Sequence, residues 1–91
     1  MDELLTKLGL DTFEPTSTDG GNTYDLFSSN KYQKLFETLD KDNSFDIDAK
    51  SVVVGDEENH IIFINDIYSI ELKADFNKDT YIVIIKELER D

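Results

Sequence analysis

Oxygen-bearing side chains recur at every second position from Asp40 to Asp48: Asp40, Asp42, Ser44, Asp46 and Asp48. Carboxylates and hydroxyls spaced this way along a loop can wrap a hard divalent cation such as Ca²⁺, which takes oxygen donors. A shorter run repeats the spacing at Asp75, Asn77 and Asp79. Two requirements of that chemistry are missing. The sixth position, where a sharp turn needs Gly, is Phe45, and the twelfth, where a bidentate Glu closes the shell, is Ser51. In the second run the closing position is Lys86.

The stretch Leu35 to Asp48 resembles the entry helix and loop of an EF-hand over fourteen residues. The resemblance implies a Ca²⁺-binding module using the degenerate acidic loop 40–51. The segment after the loop reads as a strand, where an EF-hand requires a helix. The chain is therefore not identified as a member, no residue is assigned to a metal, and no cofactor is expected.

Catalytic chemistry finds little to work with. There is no Cys, so thiolate chemistry and disulfides are excluded. The single His60 opens a β-branched run beside an acidic turn, a setting in which a histidine is structural or solvated. Gly20-Gly21 is no phosphate-binding loop, because no Lys or helix start follows at the required spacing. Paired carboxylates acting as acid and base need two different environments, and the pattern singles out no such pair. The expectation is a protein that is not an enzyme.

Charge says more. Twenty-one Asp and Glu face nine Lys and Arg, a net charge of −12 in 91 residues. Direct binding to DNA or RNA phosphates is disfavoured, as is binding to an anionic membrane surface. A basic protein partner is favoured and would be steered electrostatically. Glu37, Asp40, Asp42, Asp46 and Asp48 cluster across a helix-to-strand junction, and Asp56, Glu57 and Glu58 crowd the next turn. On a strand, Asp46 and Asp48 would point the same way about 6–7 Å apart. Carboxylates in such a row can imitate a phosphate backbone. These eight residues are the expected partner-binding surface. The function expected is a small acidic interaction module that blocks a basic, nucleic-acid-binding protein surface, as phage-type inhibitors and nucleic-acid mimics do. The alternatives are an immunity-type protein that neutralises a basic toxin and the Ca²⁺ module above.

The elements that must position these residues follow from periodicity. Asp2 to Leu8 reads as a short helix with Leu4, Leu5 and Leu8 on one stripe and Gly9 as its stop. Ser29 to Leu39 is the stronger helix, with Tyr32, Leu35, Phe36 and Leu39 on one face. Ser29 or Asn30 can cap it, with Gln33 as capping-box partner. Between them, 11–28 is a long loop or a hairpin pairing 12–16 with 23–27, which would anchor Phe13, Tyr24, Leu26 and Phe27 in the core. From Ser44 onward, β-branched runs alternate with turn clusters. Strands are expected from Phe45 to Val54, His60 to Ile64, Tyr68 to Leu72 and Tyr81 to Ile85. The last is apolar at every position, which suits a strand in mid-sheet or covered on both faces. Short connections favour antiparallel neighbours.

One domain is expected over 1–91, with a helical and loop part (1–43) and an antiparallel sheet (44–88). The fold class is α+β, with two N-terminal helices packed on one face of a four-stranded antiparallel meander. No apolar run approaches the ~20 residues of a membrane span, and the N-terminus lacks a basic-then-apolar leader, so a cytoplasmic protein is expected. Oligomeric state is not legible at this level.

Overall fold

A computed structural model describes residues 2–41, 47 and 49–88. Two helices and five strands follow one another in the chain: α1 (Asp2–Leu8), β1 (Asn22–Asp25), α2 (Ser29–Lys41), β2 (Ala49–Val54), β3 (Glu58–Ile64), β4 (Tyr68–Asp75) and β5 (Thr80–Glu87). All neighbouring strands are antiparallel, in the order β1-β5-β4-β3-β2. The expectation of two helices on a four-stranded meander is corrected on both counts. The sheet has a fifth strand, β1, which leaves the N-terminal half of the chain to pair with β5. Of the two described helices, α2 is the one that lies along the sheet, over β4 and β5. α1 is a two-turn element that contributes Leu4 and Leu8 to the core.

Local chemistry explains where the elements stop. Gly9 sits at φ 74, its N–H donates to Thr6 O at 3.1 Å, and Leu10 N–H donates to Leu5 O at 2.8 Å. This pair of bonds closes the end of α1 and folds Leu10 back into the core. α2 is capped one residue earlier than expected: the Ser28 hydroxyl accepts from Lys31 N–H at 3.4 Å. Between β3 and β4, the buried Asn65 accepts from the N–H groups of Ile67 and Tyr68, both at 2.8 Å, and so holds the turn from inside.

Register aligns the apolar residues into rows across the sheet. One row is Val52–Ile61–Leu72–Val83–Tyr24 and the next is Lys50–Phe63–Ile70–Ile85–Asn22. These rows face α2, and their central members are buried with Leu26, Tyr32, Leu35 and Leu39. Phe36 is only partly buried, its ring 6.0 Å from that of Phe63. Of the expected loop anchors, Tyr24 and Leu26 are buried and Phe13 packs against the core from its margin. Phe27 is corrected: it is 80% exposed at φ 58, where the chain swings from β1 onto α2. The expected hairpin is reduced to a single bridge, Ser17 to Thr23. The expected start of the second-half sheet at Phe45 falls outside the described residues. No described helix is long and apolar enough to cross a membrane.

One core group is out of balance. Tyr32 is buried and its hydroxyl has no hydrogen-bond partner among the described residues. Burial raises its pKa above the ordinary 10.0. Tyr81 is raised too, by burial first and then by the Asp79 carboxylate. Tyr32 and Tyr81 thus hold their protons more tightly in the folded chain than in the unfolded one. Their contribution to stability is full below about pH 10 and is lost as pH rises through the folded values. Tyr32→Phe is expected to be neutral or to stabilise by about 1 kcal/mol, and to make the alkaline loss shallower. Urea midpoints at about pH 8 and about pH 11 check both statements, and a clear destabilisation at the lower pH would contradict the first.

Candidate partner-binding surface

The eight carboxylates expected to form one surface are split by the fold. Glu37 and Asp40 are exposed on α2. Asp40 accepts from Lys50 Nζ at 2.6 Å, so its charge is already answered by the edge strand β2. Asp56 and Glu57 form the turn after β2 and Glu58 opens β3, all three exposed. From Lys50 to Asp56 the chain covers about 20 Å of extended strand, which keeps the α2 group and the turn group at opposite ends of β2. Asp42, Asp46 and Asp48 lie outside the described residues.

α2 carries cations as well as carboxylates. Lys31 and Lys34 lie with Thr38 on the flank of α2 that faces α1. There they line a cavity of about 380 Å³ together with Lys7 and Leu10. Lys31 Nζ sits 4.4 Å from the centre of the Phe13 ring, a cation–π contact.

Pairing of β3 with β4 adds two carboxylates that sequence reasoning did not include. Glu58 stands directly opposite Asp75. The Phe76 N–H donates to Glu57 O at 2.8 Å, which ties the β2–β3 turn to the β4–β5 turn. Asp56, Glu57, Glu58, Asp75 and Asp79 therefore share one end of the sheet, with Lys78 the cation of the second turn. Asp75 is fixed by its own turn, accepting from Asn77 and Lys78 N–H groups at 3.1 Å each. Asp79 is held at φ 55 and hydrogen-bonds Tyr81. Like charges directly across a strand pair are destabilising, so the Glu58–Asp75 pairing carries a cost.

Beside this acidic end lies an apolar cleft of about 410 Å³ between α2 and the β2–β3 edge. Tyr32, Phe36, Val52, Ile61 and Phe76 line it, and Val52 and Phe76 are each 48% exposed. Its size falls within the range of pockets that take a small molecule or an anchoring side chain. The Glu58 and Asp75 side chains belong to the opposite face of the sheet, where they line a second hollow of about 450 Å³ with His60, Lys73 and Lys78.

The remaining sequence candidates are placed as follows. His60 contacts the Glu71 carboxylate across the β3–β4 pair, and Lys73 Nζ lies 3.8 Å from the same oxygen. Among the described residues no three His, Cys, Asp or Glu side chains gather where they could hold a metal ion. Asp42, Ser44, Asp46 and Asp48 of the loop 40–51 are outside that set. The segment entering after the loop is strand β2. Comparison with protein-family models, curated proteins and solved structures finds no match to this chain.

Proposed function

We propose that this protein is an acidic interaction module that binds and occludes a basic, nucleic-acid-binding surface on another protein, working in the cytosol. The observation that carries this reading is the acidic end of the sheet: five carboxylates on two tied turns and the strand ends that flank them, at the end where an apolar cleft opens. The carboxylates stand in for phosphates and steer the partner in. The cleft receives an apolar anchor, which supplies affinity that charge alone does not. The like-charge pair Glu58–Asp75 is relieved when a cation settles between the two, so binding and relief of repulsion are coupled.

A salt-graded capture from bacterial lysate tests the proposal. Captured proteins should be basic, should bind nucleic acid, and should release that nucleic acid when this protein is added. Capture should weaken at least tenfold between roughly 0.05 and 0.5 M salt. The triple substitution Asp56→Asn, Glu57→Gln, Glu58→Gln should abolish capture while leaving the thermal midpoint unchanged or slightly higher. Capture that ignores salt, or a bound partner that keeps its nucleic acid, would overturn the reading.

A further inference from the structure

The cavity between α1 and α2 is walled by carbon and edged by cations. Buried leucines make its apolar wall: Leu8 and Leu10 at the end of α1, Leu26 after β1 and Leu35 on α2. The half-buried Phe13 ring completes that wall. Lys7, Lys31 and Lys34 also line the cavity, and all three are exposed. They are three of the nine cationic side chains in a chain with twenty-one carboxylates. No carboxylate of the described residues belongs to the lining. Asp11 and Glu14, on the loop that carries Phe13, are exposed and stay outside it.

This gathering of cations has a local cost. Lys31 lies in the first turn of α2, where the helix dipole favours a carboxylate, and that turn has none. Lys34 follows three residues later on the same helix face, so the two ammonium groups repel each other. No carboxylate of the described residues is in ion-pair contact with either. Lys31 is held instead over the Phe13 ring, its Nζ 4.4 Å from the centre, which puts the charge at the margin of the apolar wall.

We infer that this cavity binds a small amphipathic anion: a carboxylate or phosphate head set among the lysines, on an apolar body received by the leucines. A volume of about 380 Å³ lies near the lower end of the range for ligand pockets. An inorganic anion would leave the leucine wall uncovered, and a neutral apolar molecule would leave the cations unanswered. A nucleic acid would meet the remaining surface of a chain whose net charge is −12. Lysines are point charges on flexible stems, so they accept either head without selecting one by shape.

The test is titration of the full chain with decanoate, decyl phosphate, decanol and inorganic phosphate, followed by calorimetry and by amide chemical shifts. Decanoate or decyl phosphate should bind one to one and shift the amides of Leu10, Phe13 and Lys34, and the tighter of the two names the head. Decanol and inorganic phosphate should each bind about tenfold more weakly or worse. Octanoate, two methylenes shorter, should bind roughly tenfold more weakly than decanoate. Lys31→Gln combined with Lys34→Gln should weaken the amphiphiles about tenfold while leaving amide shifts away from the cavity unchanged. Lys7→Gln, on the other helix, should weaken them in the same direction. No binding of either amphiphile below its micellar concentration, decanol binding as tightly as decanoate, or a double variant that binds unchanged would overturn the inference. The triple substitution at Asp56, Glu57 and Glu58 should leave decanoate bound, so this site and the basic-partner reading fail separately.

Discussion

Replacing Phe63 by Ala is expected to destabilise the protein by about 3–5 kcal/mol, the range for truncating a fully buried aromatic side chain. Phe63 is 1% exposed, lies on β3 and faces α2. It stands between Lys50 of the edge strand and Ile70 of the central strand, so its ring is what β2 and α2 share. Neighbours on three sides are held by the sheet ladder and cannot close over the void. Such a loss is a large fraction of the roughly 5–15 kcal/mol available to a domain of this size. Urea unfolding should show a lowered midpoint with an unchanged slope. Phe63→Leu, which keeps most of the volume, should cost far less, under about 1.5 kcal/mol. Equal costs for the two substitutions would mean that the ring is not packed as described.

Phe36 makes the contrast. Its place on the apolar stripe of α2 suggests the same burial, yet it sits at the margin of the core, over the cleft beside Val52 and Phe76. Helical periodicity reports which face turns inward. It does not report where the sheet beneath that face ends. Tyr32, Leu35 and Leu39 lie over the sheet interior and are buried. Phe36 leans toward β2, where cover runs out.

Strand β1 shows why part of the fold escaped the sequence. It is four residues long, and its partner β5 lies more than fifty residues away, with Asp25 opposite Ile82. No local pattern announces a pairing of that kind. An indirect signal did exist. A segment apolar at every position suits a strand in mid-sheet or one covered on both faces, and a four-stranded meander makes Tyr81 to Ile85 an edge. Of the two alternatives the structure shows the first, with β1 as the fifth strand beyond β5. The candidate surface divides in the same way. Asp56, Glu57 and Glu58 are contiguous and were legible as a cluster. Asp75 and Asp79 join them only through the β3–β4 register and the Phe76–Glu57 hydrogen bond. Glu37 and Asp40 are near the turn in sequence and far from it across β2.

Gly21→Ala is the substitution that tests the fifth strand, with an expected cost of about 2–4 kcal/mol from backbone strain and steric overlap together. Gly21 precedes β1 at φ 129, a conformation open to glycine and strained for other residues. A Cβ there would lie 2.9 Å from the Ile85 carbonyl oxygen and 2.6 Å from Lys86 Cγ. The lysine chain can move aside, but the carbonyl belongs to the β5 backbone opposite Asn22 and cannot. The methyl group must therefore push the start of β1 away from β5. Gly20→Ala is the milder comparison, because Gly20 has φ 72, close to the left-handed region that L-residues can enter, and no atom within 4 Å of the added carbon. It should cost about 1 kcal/mol, the strain of the left-handed conformation without steric overlap. Hydrogen exchange should show Tyr24 and its β5 partners losing protection in Gly21→Ala and keeping it in Gly20→Ala. If the two variants lose equal stability, the close approach of Gly21 to β5 is wrong. β5 would then be the edge of a four-stranded sheet, with Tyr24 and Leu26 requiring some other place in the core.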